Sequence, residues 1–369
     1  MGMGSPFLVL IETFSGPLLS KNCLKRMKTD NISKGVYILA NDVVYDQLVA
    51  LLNSIEVNAG KDMPICIIPY NNMLERIKKY ILPYKNIRLF EDSDAIDKWD
   101  AFFEEVWAAY PRRIYQRWSR PWFYKGKTGR AMVAFDGPFD RFVYCECDNL
   151  VMKPMDDVFE KLNNYDFVFD DWEHTKPTPV AALNIPLIEK TGLFSESDIR
   201  PKFHCGSFFG SKKGIFNNDE LARYKDLLLN KREFEWVNSH GWWDFVFLFN
   251  YLTLRSGRPL FNFTLSPDNK DITGNCANAD PFVNINNVLY NQGRLKPIHR
   301  IHYMGYPGIL FTRLCRGECV DIRYKDVFLH YRFLKEPEDR PRDFVKPSRI
   351  TIVKRFMQKI IKKIGRICA

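Results

Sequence analysis

The chain is expected to be an α/β protein built on one largely parallel sheet, and three observations carry that expectation. Gly35-Val36-Tyr37-Ile38-Leu39-Ala40 is a short apolar run entered through a glycine, which reads as a buried strand. A polar turn, Asn41-Asp42, then leads into Leu48, Leu51, Leu52 and Ile55, spaced as one face of a helix. The alternation repeats, since Met63 to Pro69 predicts a second strand, Met73 to Tyr80 a second helix and Ile87 to Phe90 a third strand. Strands alternating with helices imply a sheet covered on both faces. Such sheets take ligands outside the carboxyl ends of their strands. Ala40, Asn41, Asp42, Tyr45, Tyr70 and Asn71 therefore stand where a ligand is expected, with the two tyrosines able to stack on a base or to pack in the core.

Further along, Trp99 to Tyr124 mixes aromatic residues with arginines. That pattern suits a helix packed on the sheet with its arginines in water, ahead of a carbohydrate platform or a nucleic-acid stacking surface. Lys125 to Arg130 lacks the spacing of a phosphate-binding Walker loop, although its cations, Lys127 and Arg130 among them, could meet a diphosphate. The next stretch organises the chain: Arg141-Phe142-Val143-Tyr144-Cys145-Glu146-Cys147-Asp148-Asn149-Leu150-Val151. Residues i and i+2 of a strand point to the same side, so Glu146 and Asp148 project together. Two carboxylates held that close repel, and a divalent cation relieves the repulsion.

After this pair, Met155 to Leu162 predicts a short helix and Asp166 to Phe169 another strand. His204-Cys205-Gly206-Ser207 is a small-residue turn entering a strand, and Leu221 to Asn230 predicts a helix. Asp244 stands ahead of the apolar run Phe245 to Phe249, as an N-cap or a catalytic acid would. Residues 262 to 291 read as polar loops. Ile298 to Gly308 alternates apolar and polar positions, carries His299 and His302, and ends in a Gly/Pro turn. A histidine paired with distant carboxylates can complete a metal site.

Composition narrows the function classes. The chain has 369 residues, 46% of them hydrophobic, enough for a sizeable core. Its net charge is +10, but Arg349 to Arg366 holds seven basic residues and no acid; subtracting these leaves +3 on the rest. A nucleic-acid-binding body is not implied. The nine cysteines show no paired metal-ligand spacing, so they are expected to be reduced thiols in the cytoplasm and not a zinc site. No apolar run is long enough to span a bilayer.

These segments, in this order, resemble the nucleotide-sugar glycosyltransferases of the GT-A fold, in the glycogenin-like, family 8-type branch, over roughly residues 33 to 310. The most specific part is Tyr144 to Phe159, where the family runs Tyr-x-Asp-x-Asp-x-Leu-Val, then Pro, then a short acidic helix. The resemblance implies one Rossmann-like nucleotide-binding sheet flanked by helices and hexosyl transfer from a nucleoside-diphosphate sugar, UDP-linked, with retention. It implies Mn²⁺ or Mg²⁺ held by Glu146, Asp148 and His302, the last matching the family's late His-x-x-Gly. Gly305 would let the backbone approach the diphosphate; Cys147 and Gly206 would border the donor, and His204 and Asp244 would be catalytic positions lining its sugar. Glu146 replaces the family's first Asp, His204 its Asn, and Tyr306-Pro307 follows Gly305 where the family has a lysine nearby. A non-catalytic relative that only binds nucleotide-sugar or glycan is the competing reading.

The expected organisation is an N-terminal extension over 1–32, the transferase domain over 33–335, a Pro-rich linker over 336–347 and a basic amphipathic helix over 348–369. Val353, Phe356, Met357, Ile360, Ile361 and Ile364 recur at helical spacing with lysines and arginines between them. Such a helix is expected to lie on an anionic membrane surface, the inner face for a cytoplasmic protein. The acceptor, whether glycan, lipid or protein, is not written in the sequence.

Overall fold

The first strand, β1 (Lys34–Ala40), lies in the interior of the sheet, as its run Val36 to Ile38, fully buried, requires. The computed structural model describes residues 33–109, 126–176, 183–236, 245–268, 270–351, 353–355 and 357–358, and none of its helices is long and apolar enough to cross a membrane. The expected extension 1–32, the aromatic-arginine stretch beyond Ala109, Asp244 and the end of the tail lie outside the described residues. From β1 the chain runs through α1 (Tyr45–Asn58), β2 (Ile65–Pro69), α2 (Glu75–Ile81), β3 (Ile87–Leu89) and α3 (Ser93–Ala109). Then follow β4 (Arg141–Glu146), β5 (Asn149–Val151), α4 (Asp156–Lys161) and β6 (Phe167–Phe169). After α5 (Ile185–Glu189) and α6 (Glu196–Ile199) come β7 (Phe208–Lys212), α7 (Asn218–Leu229), α8 (Val246–Ser256) and β8 (Leu260–Asn262). The chain continues through β9 (Phe282–Ile285), β10 (Val288–Asn291), β11 (Arg300–His302), α9 (Gly308–Cys315) and α10 (Lys325–Arg332).

Seven strands form one sheet in the order β3-β2-β1-β4-β7-β6-β8, and only β7 runs against its neighbours. The α/β class and the single helix-flanked sheet that the resemblance implies are what the structure shows. Alternation along β1 sends Val36 and Ile38 to one face and Tyr37 to the other. One face packs Ile67, Val143, Cys145 and Val168; the other is aromatic, with Phe135, Phe142, Tyr144, Phe209 and Phe249. Gly35 is required by this packing, because a Cβ there would lie 2.4 Å from the Phe139 ring. A third apolar cluster joins Leu150, Ile301, Tyr303, Phe311 and Phe328.

Two features position the site. Leu39 pairs with Glu146, so the carboxyl ends of β1 and β4 finish side by side. Outside the main sheet, β11 pairs antiparallel with β5, setting His302 opposite Asn149, and the Tyr303 amide donates to Asp148 O at 2.8 Å. Residues 282–291, expected as loop, form the β9–β10 hairpin around the positive-φ pair Asn286-Asn287. The expected linker is tied down: Val345 exchanges backbone hydrogen bonds with Gly317 O and the Cys319 amide. The tail is helical over 349–351, 353–355 and 357–358, and Arg355 makes a two-pronged ion pair with Glu318 at 2.6 and 2.7 Å.

Candidate metal and nucleotide site

Glu146 ends β4 and Asp148 follows in the two-residue turn to β5, both half-buried. The buried Asn149 amide holds this turn by donating to Glu146 O at 3.0 Å and Ser207 O at 3.3 Å. Strand pairing then brings His302 to the same corner from 154 residues away in the chain. One ligand atom each from Glu146, Asp148 and His302 lies within 4.8 Å of the others, and His302 Nε2 is 3.4 Å from Asp148 Oδ2. Burial pushes the Asp148 carboxyl up, but the facing imidazole and the buried Arg300 guanidinium outweigh it and hold the group below the usual carboxylate range. Two carboxylates and an imidazole are the donor set of a hard divalent cation, so these residues fit Mn²⁺ or Mg²⁺.

The corner opens onto a cleft of about 880 Å³ at the carboxyl end of the sheet. Ala40, Asn41, Tyr70 and Asn71 line one side, Glu146, Cys147 and Asp148 the floor, and Tyr306 and Gly308 the far wall. Of the residues expected to contact a nucleotide, Ala40, Asn41, Tyr70 and Cys147 are thus brought together with the metal candidates. The Asn41 amide donates to Asn71 Oδ1 at 3.2 Å, which fixes both side chains at the rim. Gly305 holds φ +83°, a left-handed conformation that favours glycine, in the turn following His302.

Other expectations are corrected. Asp42 does not face the cleft: its two carboxylate oxygens accept from the Arg76 and Ile77 amides at 3.0 and 3.1 Å and cap α2. Tyr45 packs under the Arg76 guanidinium, 3.8 Å from its ring centre, and edge-on to Tyr80. Lys127 and Arg130 are neutralised within the protein. Lys127 binds Asp100 and Glu104, both at 2.9 Å, and Arg130 binds Asp100 at 2.8 Å and the Pro69 carbonyl at 3.0 Å. His204 is a packing residue, 1% exposed and stacked 4.1 Å from Phe169, with Nε2 on Thr253. Burial drives it down to about 3, so it stays neutral near neutral pH. Gly206 does take a left-handed φ of +73°, and a Cβ there would press on Phe245 at 3.2 Å.

The sequence reading missed the end of β6. Asp171 is buried and accepts from the Cys205 amide at 2.8 Å and the Glu173 amide at 2.8 Å, tying this loop to the turn before β7. Glu173 lies within electrostatic reach of His302, pairs with Lys176, and is raised by burial first and by Asp171 second. The signal was present, since Asp170-Asp171-Trp172-Glu173 directly follows an apolar strand at the ligand-binding end of the sheet.

No known protein family matches the chain, and no curated protein matches it either. Among solved structures, it is similar to the bifunctional glycosyltransferase WbbM at 14% identity and a TM-score of 0.45, over 85% of this chain and 52% of that one. It is similar to the galactosyltransferase LgtC, solved with donor and acceptor sugar analogues, at 12% identity and a TM-score of 0.40, over 79% of this chain and 99% of that one. GlyE from Streptococcus pneumoniae TIGR4, also a glycosyltransferase, is similar at 10% identity and 0.43, over 81% and 60%. The chain thus spans about half of WbbM. Likeness at this level speaks to no activity, and the functional reading below rests on the site's own chemistry.

Proposed function

We propose that the protein is a metal-dependent glycosyltransferase that moves a hexosyl group from a UDP-linked sugar to an acceptor, with retention. The observation that carries this reading is the meeting of Glu146 and Asp148, which line a nucleotide-sized cleft at the carboxyl edge of the sheet, with the buried His302 behind them. Asn41 and Tyr70 would hold the nucleoside at the rim, by hydrogen bonding and stacking. Glu146, Asp148 and His302 would hold Mn²⁺ or Mg²⁺ beneath the diphosphate. When bound, the cation neutralises charge that grows on the leaving nucleoside diphosphate. The start of α9 at Gly308 lines the same cleft, and the left-handed turn at Gly305 would let the backbone approach the diphosphate. Asp171, through the Cys205 amide, fixes the turn that would border the sugar.

The burial of His204 favours one competing reading, a relative that binds nucleotide-sugar without turning it over. A panel of nucleotide-sugars incubated with Mn²⁺ separates the two. Slow release of the nucleoside diphosphate that EDTA abolishes supports transfer chemistry; thermal stabilisation by the same compounds without release supports the binding reading. Neither release nor stabilisation by any of them overturns both.

The tail is proposed to rest on an anionic membrane surface. Ile350, Val353 and Met357 are 69%, 60% and 50% exposed, and basic residues flank them without an acid between Arg349 and Arg366. The same reading puts the protein in the cytoplasm, at the inner face of the membrane. Cosedimentation with phosphatidylserine vesicles, lost on removing residues 348–369, is the expected result; equal binding to neutral vesicles would refute the electrostatic part.

A further inference from the structure

The metal corner has a support that its three ligands do not contain. His302 turns its ring nitrogens to different partners: Nε2 faces Asp148 Oδ2 at 3.4 Å, and Nδ1 lies 3.3 Å from the hydroxyl of Ser207. Ser207 stands immediately before β7, 1% exposed, and its oxygen meets two more atoms. Arg300 Nη2 donates to it at 3.2 Å, and Cys205 Sγ lies 3.0 Å away. Arg300 and His302 are i and i+2 on β11, so both side chains leave the strand on one side and a single hydroxyl reaches both. Arg300 is fully buried over the Phe208 ring, and its Nε and Nη1 have no hydrogen-bond partner among the described residues.

We propose that Ser207, held by Arg300, is the positioning residue of this metal site: it accepts the Nδ1–H of His302 and so commits Nε2 as the metal-ligating nitrogen. The inference rests on the metal reading above. A serine hydroxyl has one proton and two lone pairs, whereas a guanidinium only donates and stays charged. Arg300 therefore occupies one lone pair permanently. One lone pair and one proton remain for His302 and Cys205. If Nδ1–H donates to Ser207, the hydroxyl turns its proton to Cys205 Sγ, and all three neighbours are served. The reverse arrangement replaces an imidazole donor with a weak thiol donor and puts the proton on Nε2, where the cation must bind. A cation shared by Glu146, Asp148 and Nε2 selects the first arrangement. Metal-bound histidines owe their ring orientation and basicity to such a bond on the second nitrogen. The buried Arg300 also lends positive charge to a corner holding two carboxylates, which favours keeping them together before a cation arrives.

Mn²⁺ titration of the full chain, without nucleotide, tests this for the wild type, Ser207→Ala, Ser207→Thr and Asp148→Ala. Ser207→Ala is expected to weaken Mn²⁺ binding about 10–100-fold, with Ser207→Thr recovering most of it. The melting temperature of Ser207→Ala in EDTA is expected to stay near that of the wild type, while its rise on adding Mn²⁺ is lost. Long-range ¹H–¹⁵N spectra of the Mg²⁺-loaded wild type, with His302 assigned by its absence in His302→Gln, are expected to show the proton on Nδ1. A proton on Nε2 overturns the inference, as does Mn²⁺ affinity in Ser207→Ala within about twofold of the wild type. If the wild type binds Mn²⁺ no better than Asp148→Ala, the metal reading itself falls and takes the inference with it. Should Ser207→Ala fail to fold, the wild-type spectra decide alone.

Discussion

Two charged clusters stand near the ligand-binding end of the sheet, and they differ in their balance of charge and in their access to the cleft. Around Asp100, the basic residues Lys127 and Arg130 are matched by acids of the protein, at 2.8 to 2.9 Å. Around His302, the carboxylates Glu146 and Asp148 face each other with one imidazole and a buried guanidinium nearby, on the floor of an open cleft. The first cluster is complete without a ligand and serves to hold α3 against the segment before β4. The second gathers negative charge at a surface where a cation can reach it. Charge in a sequence thus marks a candidate; the folded neighbours decide whether it is spent on the fold or left for chemistry.

The largest expected effect comes from removing the safer carboxylate. Asp148→Ala should lower metal-dependent release of nucleoside diphosphate about 100–1,000-fold, or about 2.7–4 kcal/mol of barrier, without loss of fold. Turnover within a few-fold of wild type would erase the distinction between the clusters. On the other side, Arg130→Met leaves Asp100 with Lys127 alone and should cost about 2 kcal/mol of stability in urea titrations, discounted because the pair is partly hydrated. Nucleotide affinity per folded molecule should not change; a clear loss would return Arg130 to the donor site. Glu146→Asp sharpens the comparison within the metal corner. Shortening the side chain by one methylene should change Mn²⁺ affinity about tenfold, or about 1.4 kcal/mol, read by calorimetry, with little effect on melting in EDTA.

The smallest expected effect concerns a buried neighbour of the metal corner. His299 lies between Asp157 at 2.9 Å and Asp170 at 3.3 Å. Burial alone would lower the imidazole, but the two carboxylates outweigh it and raise it above its ordinary value. A raised folded-state value means that the contribution to stability is fully present below about pH 6.5 and fades as pH rises through the raised value. Melting temperature should therefore fall from pH 6.5 upward more steeply in the wild type than in His299→Gln. Parallel curves would show that the histidine is neutral throughout.

Much of the site was legible before folding. Glu146 and Asp148 could be placed on one side of a strand because the strand period is two, and Asn41 and Tyr70 could be placed at strand ends because short apolar runs stop there. Asp42 could not be read correctly, because the amides it caps begin a helix 33 residues later. Lys127 and Arg130 looked free for the same reason, their acids lying on α3. His204 was a site candidate only through the family resemblance, where it stands in place of an Asn; its stacking on Phe169 is a tertiary fact.

The sequence by itself determined the α/β class, the edge of the sheet where ligands meet it, the carboxylate pair and the basic apolar tail, since all of these follow from local period and composition. Only the tertiary structure decided which charges are neutralised internally, that β11 docks on β5 to deliver His302, and that Ser207 and Arg300 stand behind it. The physical reason is range. Periodicity orders neighbours a few residues apart, whereas a coordination site needs atoms from distant strands brought within a few ångströms, and that is set by strand pairing across the whole fold.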